Sequence, residues 1–483
     1  MLFNSTQYLI FLPIVVLLFW ILPQRLRLPM LLLASYIFYA SWIPGFVFLI
    51  FFLTVFNWLW GKVLHRATVR KKLVFGIGLA ANILTLGVFK YANFSAHTIQ
   101  SLLHLTTGKT VDWSLNIILP LGISFFVFEF VHYLFEIYRG NKPIDSFILF
   151  ALFAAFFPTQ IAGPIKRYPD FVAQMTTTNK LRLQYFDEGI PLIVMGLAKK
   201  CLLADNLSYL VQVGFSTPGS YGAPELWLFT YAFAFQIYFD FSGYTDIGRG
   251  SAMLFGYHIP INFNLPFIAK NMSDFWHRWH ISLSTWLRDY LFIPMGGSRK
   301  GEFKTCRNLF ITFAIGGLWH GASWSFVIWG IYHGLCLVAH RTFANLSRKI
   351  GGLEKFWETP VWRYFSIFLT FQAVCIGDVF FRLQDTRLAF NVVRKMLTLH
   401  PIYSPEEAGH FFVFKPEMPV AVPLIMALVV GLIVLNLPLS ALNQKCIFKN
   451  CPPVLKAAYC AIVVIAMVTL MPDTSAPFVY FQF

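Results

Sequence analysis

Residues 274–297 read DFWHRWHISLSTWLRDYLFIPMGG, and residues 316–334 read GGLWHGASWSFVIWGIYHG. A basic link joins them. The first segment packs His277, Arg278, His280, Arg288 and Asp289 among tryptophans and leucines. The second is an apolar span that carries His320 and His333. Ionisable groups are expensive at membrane depth and mark function by default. Together the two segments predict the core of an integral membrane protein, with His320 its leading candidate for chemistry.

Composition agrees. Of 483 residues, 57% are hydrophobic and only 12% charged, against about 25% charged in a soluble domain. Mean hydropathy is +0.62, and long apolar runs recur from end to end, so the bilayer is the main solvent. A net charge of +16 would suggest nucleic acid in a soluble protein. Here Lys and Arg sit in short loops as topology signals and lipid contacts, so no nucleic-acid partner is expected. A cytoplasmic basic rim would also attract a polyanionic donor. The seven cysteines form no CxxC pair and no metal-like framework.

Taken in order, Tyr8–Leu22 predicts a retained first span, lacking a basic n-region and a small-residue cleavage site. Pro29–Trp42 and Phe46–Trp60 follow, split by a turn at Ile43-Pro44-Gly45. KVLHRATVRKK (62–72) predicts a cytoplasmic loop, Leu73–Tyr91 an outward crossing, residues 92–115 a polar loop, and Asn116–Tyr138 the return. Phe147–Phe157 is too short to cross, and the Pro/Gly-broken FPTQIAGPIKRYPDF (157–171) predicts a re-entrant or interfacial segment. Glu188–Val213, Leu226–Phe239, Phe310–His320, Trp324–His340 and Trp362–Phe381 are further helices. Leu383–Leu399 predicts an amphipathic interfacial helix, and Val420–Leu437 and Val454–Met471 close the chain. The expected architecture is an all-α integral membrane protein with roughly eleven transmembrane helices. It would form a single polytopic domain over 1–483, without internal repeat, with both termini outside. The exterior position of Arg382, Arg387, Arg394 and Lys395 runs against the positive-inside rule, which an interfacial helix softens.

Small residues flank His320 (Gly316, Gly317, Gly321, Ala322), so a backbone or thin ligand can approach it closely. A neutral buried imidazole accepts a proton from a hydroxyl and serves as a general base. A histidine tied to a neighbouring helix is the structural alternative. His277 and His280 are three apart, which on a helix puts them on one face. No acidic or cysteine partner stands at ligand spacing, so no metal is expected. Arg278 and Arg288 could hold phosphates or pair with Asp274 and Asp289. Asp240, Asp246 and Arg249 form a buried ion-pair set or line a polar tunnel. Gln160, Lys166 and Arg167 contact donor or lipid headgroups. His333 and His340 are expected to be structural.

QIYFDFSGYTDI (236–247), NFNLPF (262–267), SDFWHRWHISLSTWLRDYLFIPMGG (273–297) and GLWHGASWSFVIWGIYHG (317–334) resemble the signature segments of the membrane-bound O-acyltransferase superfamily. IAGPIKRYPDF (161–171) fits as well. The resemblance is narrower to the bacterial cell-envelope branch, which holds the alginate O-acetylase group and its peptidoglycan O-acetylating and D-alanyl-transferring relatives. It implies tilted helices around a central tunnel in the bacterial inner membrane, with 273–334 as catalytic core. It also implies His320 as the essential intramembrane histidine and His280 as the second. Trp319, Gln236, Asp240, Arg278 and Arg288 become candidates for the donor and tunnel wall. The donor implied is acetyl-CoA or another acyl thioester, with no bound cofactor, and the acceptor an envelope polysaccharide. FVYFQF (478–483), in the C-terminal segment 472–483, resembles the branch's aromatic terminal motif, which implies Tyr480 as an acyl relay. The alternative is an interfacial anchor. No serine-hydrolase-like domain is present in the chain, so the resemblance implies a separate extracytoplasmic SGNH-type acetyltransferase. D-alanyl transfer by the same fold, a transporter and a non-catalytic scaffold remain as alternatives.

Overall fold

The protein is described here by a computed structural model covering all residues except 110–112, 114, 116, 351–355, 399–450, 473–475 and 480–483. Among the described residues every regular element is helical. Four helices are long and apolar enough to cross a bilayer: Phe46–Arg66, Lys71–Thr107, Pro360–Arg382 and Pro453–Leu470. Thr6–Ile21 is a shorter apolar helix. Its outward residues are as apolar as its packed ones: Leu9, Ile14 and Leu17 are exposed while Leu12, Val15 and Phe19 are buried. A helix that is apolar all round is built for a hydrocarbon surround. Val420–Leu437 lies outside the described residues.

Contacts divide the chain into two units. The first comprises 1–193 and 247–260. Its helices are α1 (Thr6–Ile21), α2 (Gln24–Ala40), α3 (Phe46–Arg66), α4 (Lys71–Thr107), α5 (Ile123–Tyr138), α6 (Phe147–Ala155) and α7 (Tyr168–Thr176). Helix α4 corrects the sequence expectation of a polar loop at 92–115. No Gly or Pro interrupts 92–107, a π-turn at Gly87–Tyr91 carries the helix through, and it stops at left-handed Gly108. Likewise, α5 begins at Ile123 after left-handed Gly122, seven residues later than the run from Asn116 suggested.

The nine-residue α6 is too short to span, as expected. Phe150 through Ala155 are buried, and the broken backbone that follows is buried with it, the condition under which irregular chain is tolerated at membrane depth. Lys166 corrects another expectation. It is 1% exposed and bonds Glu129 at 2.6 Å and Thr159 at 2.7 Å, so it is an internal tie and meets no headgroup. Asn57 and Asn82 exchange side-chain amide hydrogen bonds of 2.8 and 3.1 Å, joining α3 to α4 where no hydrophobic force can between lipid-immersed helices.

The second unit comprises 194–246 and 261–483. Helix α8 (Leu183–Ala198) leads through a π-turn, Lys199–Ala204, into α9 (Asp205–Ser216). Helix α10 (Ala223–Met253) is a single run of 31 residues, so the polar FQIYFDFSGYTDIGRG is helical throughout. Then come α11 (Met272–Arg278), α12 (Ile281–Leu287), α13 (Glu302–His320), α14 (Trp324–Ser347), α15 (Pro360–Arg382), the amphipathic α16 (Thr386–Leu397) and α17 (Pro453–Leu470).

Helices α13 and α14 form the hairpin that carries His320. A methyl added to Gly317 would run into the Phe326 carbonyl, and one added to Gly330 into that of Phe313. The two backbones therefore touch, the approach that small residues permit in membranes.

Candidate active site

His280 is not on a helix with His277. Helix α11 ends at Arg278, and His280 has φ 41° and ψ 54°, a left-handed conformation costing about 1–2 kcal/mol for a side chain of this kind. The break corrects the shared-face expectation. It is pinned by the loop at Asn262: the Ile281 N–H donates to the Asn262 carbonyl at 2.9 Å, and the Ser282 N–H to its Oδ1 at 3.1 Å. A strained residue held this firmly points to a functional constraint. His280 is fully buried, with Phe241 against its ring at 4.7 Å.

His320 is the last residue of α13. Trp319 lies between the two histidines, 6.2 Å from the His280 ring and 5.0 Å from that of His320, centroid to centroid. The His320 ring meets Trp329 edge-on at 4.8 Å and Phe381 at 5.3 Å. It lines a cavity of about 10 Å³ with Ile237, Trp329, His333, Asp378 and Phe381. That volume is close to the minimum that admits one water.

Two of these residues were not expected there. His333 sits one turn beyond Trp329 on α14, with ring centroids 4.6 Å apart. Asp378 comes from α15 and is 8% exposed. The sequence signal for His333 was its position, thirteen residues from His320 across a tight turn. Asp378 could have been flagged as a lone carboxylate inside an apolar span.

A second cavity, of about 840 Å³, lies along the same three helices. Helix α11 gives Phe275 to the small cavity and Met272 to the large one; α14 gives His333 and then Cys336 and His340; α15 gives Asp378 and Val374 and then Ala373 and Thr370. Lys270, Arg363 and Trp357 also line the large cavity. The two cavities thus draw on neighbouring positions of the same three helices.

Of the other candidates, Gln236 is buried one turn before Asp240 on α10. Asp240 pairs with Lys200 at 2.9 Å, Lys200 also with Asp205 at 2.9 Å, and Lys199 with Asp246 at 2.6 Å. Arg278 bonds Asp274 at 2.7 Å and Arg288 bonds Asp289 at 2.7 Å. That carboxylate raises the Arg288 pKa above its ordinary value, despite partial burial. Tyr480 lies outside the described residues, but the chain just before it is held firmly. Lys200 donates to the Ala476 carbonyl at 2.8 Å, the Val479 N–H donates to Asp240 Oδ2 at 2.7 Å, and Phe478 stacks on Tyr244 at 4.6 Å. Phe478 is also 6.0 Å from Phe241, the ring that covers His280.

A buried, aromatic-walled histidine site suits transfer of a reactive group away from water. Comparison with known proteins gives the same answer. The model of the membrane-bound O-acyltransferase family matches residues 125–377. The chain is 38% identical over 406 residues to the probable alginate O-acetylase AlgI of Pseudomonas putida, covering 82% of this chain and 80% of that one. It is 34% identical over 454 residues to the peptidoglycan O-acetyltransferase of Helicobacter pylori, covering 85% and 83%. It is 31% identical over 337 residues to the teichoic acid D-alanyltransferase of Bacillus subtilis, covering 66% and 80%. These relatives are acyltransferases, and the apolar helices place this chain in a membrane. It is a multi-pass membrane acyltransferase and belongs to the membrane-bound O-acyltransferase family.

Proposed function

We propose that the protein takes a short acyl group, acetyl in the simplest case, from a cytoplasmic thioester and passes it across the inner membrane for O-acylation of an envelope polysaccharide. The observation that carries this is the buried, aromatic-walled His320 site, with a larger cavity further along α11, α14 and α15. The large cavity opens near the Ser347 end of α14, where Arg341 bonds Glu302 at 2.6 Å. Arg299, Lys300, Lys304, Arg307, Arg348 and Lys349 cluster in the sequence around that end, and such a basic rim belongs on the cytoplasmic side. Lys270 and Arg363 suit the phosphates of a coenzyme A thioester, and Trp357 a flat base.

The inner cavity, close to the size of one water, leaves no room for a long chain. His320 removes the proton from the attacking hydroxyl, and aromatic walls keep water from the thioester. His280, behind Trp319, supports the same site. Tyr480 accepts the acyl group at the outer side; in support, the residues just before it, 476–479, are clamped to Lys200 and Asp240, with Phe478 6.0 Å from Phe241. A phenol, with a pKa of about 10, is a better leaving group than a serine hydroxyl, so onward transfer to an extracytoplasmic SGNH-type partner runs downhill. Roughly eleven crossings, with both termini outside, complete the topology.

Acetyl is favoured over D-alanine by coverage, since the alginate and peptidoglycan relatives match 82–85% of the chain and the D-alanyl relative 66%. The test is labelling of membranes with radiolabelled acetyl-CoA, with and without the partner, in wild type, His320→Ala and Tyr480→Phe. Label should reach the C-terminal peptide in wild type and be lost in both variants. Undiminished transfer to the partner by Tyr480→Phe would reduce the terminus to an anchor.

A further inference from the structure

The inner cavity holds two hydrogen-bond donors that nothing satisfies. The indole Nε1 of Trp329 is buried and has no partner among the described residues, and the same is true of both ring nitrogens of His333. These residues are 5% and 1% exposed. Both line the cavity that His320 lines, and their rings lie 4.6 Å apart. Buried polar groups are nearly always paired, because leaving one unpaired costs about 1–3 kcal/mol. The ring of His333 is held against α15 by a close approach: a methyl on Gly377 would stand 2.7 Å from its Nε2.

We propose that Trp329 and His333 form the oxyanion site of the transfer reaction, receiving the carbonyl oxygen of the thioester while His320 handles the proton. This rests on the assignment of His320 as the base. The acceptor oxygen forms a bond to the thioester carbonyl carbon, its proton passes to His320, and the carbonyl π pair moves onto oxygen. The Trp329 N–H and one N–H of neutral His333 donate to that oxyanion. On collapse the C=O re-forms, the C–S bond breaks, and the thiolate leaves with the proton from His320. The products are an ester and a free thiol. Donors without partners in the resting protein are what this role requires, because they are fixed in advance and need no reorganisation when charge develops.

The test is thiol release from acetyl-CoA by the purified full-length protein, with the extracytoplasmic partner present so that turnover continues, and with kcat and KM read separately. Trp329→Phe keeps an aromatic ring between His320 and His333 and removes the N–H. His333→Leu removes both nitrogens, and His333→Gln restores an amide donor. Loss of an oxyanion donor lowers kcat about 10²–10³-fold. Trp329→Phe and His333→Leu should show that loss with KM for acetyl-CoA unchanged, and His333→Gln should regain part of it. A wild-type kcat in Trp329→Phe or in His333→Leu would overturn the proposal, as would a raised KM with kcat intact, which marks a donor-binding residue. His320→Ala separates the two layers. If it is inactive while Trp329→Phe is normal, the oxyanion site alone fails. If His320→Ala turns over normally, the assignment of the base fails first. Melting temperature in detergent is read on every variant, and a kcat loss matched by an equal fall in folded fraction counts against the proposal.

Discussion

Replacing Lys200 by methionine removes the cation that two buried carboxylates share. Lys200, Asp205 and Asp240 are 7%, 3% and 1% exposed, and both ion pairs are 2.9 Å long. Removing one partner of a buried pair costs about 3–5 kcal/mol, because the remaining charge stays desolvated. Here two carboxylates lose the same partner, so the upper end, about 5 kcal/mol, is expected. At about 1 °C per kcal/mol for a chain of this length, the melting temperature in detergent micelles should fall by roughly 5 °C. The same substitution removes the hydrogen bond to the Ala476 carbonyl. Residues beyond 476 should therefore become accessible to carboxypeptidase at temperatures where the rest of the fold is intact. Lys200→Met/Asp240→Asn should melt above the sum of the two single losses, with a coupling of about 0.5–3 kcal/mol. A Lys200→Met protein that melts with wild type and keeps its terminus protected would refute the clamp.

Three further outcomes follow from other parts of the structure. Gly317→Val forces a side chain into the Phe326 carbonyl, so the hairpin should lose about 1–3 kcal/mol or more and transfer with it; a functional Gly317→Val would show that the helices have slack. His280→Gly relieves the left-handed strain that His280→Ala keeps, so it should be the more stable of the two by about 1 kcal/mol, read as a melting difference; equal melting would mean that the backbone at 280 relaxes. Glu302 has a carboxyl held below its ordinary 4.5, first by the hydrogen bond from Arg341. A lowered folded pKa gives stability that is present above the unfolded value and lost as pH falls through the folded one. Acid melting curves should therefore lose stability below about pH 4.5, and Glu302→Gln should flatten that limb, an unchanged curve being the contrary result.

The sequence made the membrane setting, the helical hairpin and His320 legible because each rests on a local signal: apolar length, small residues and a charge at membrane depth. What it concealed was non-local. His333 and Asp378 join the cavity only because α14 and α15 pack along one face. The polar run 92–107 misled because hydropathy fell while helix formation did not; with no Gly or Pro before Gly108, the helix simply continued. His277 and His280 misled in the opposite way, since helical spacing assumes a helix, and the backbone breaks at Trp279 and His280. Asp240 was readable as an ion-pair residue, but its second duty, gripping the Val479 N–H, joins positions 239 apart in the chain.

The most direct test of acyl transfer at His320 is a single-turnover measurement on the purified protein. Acetyl-CoA is mixed with wild type and with His320→Gln, and release of the thiol is followed alongside mass spectrometry of the C-terminal peptide. The account predicts one burst of thiol in wild type, matched by an acetyl group on the protein, and neither in His320→Gln of equal melting temperature. A burst of the same rate and size in His320→Gln would contradict it.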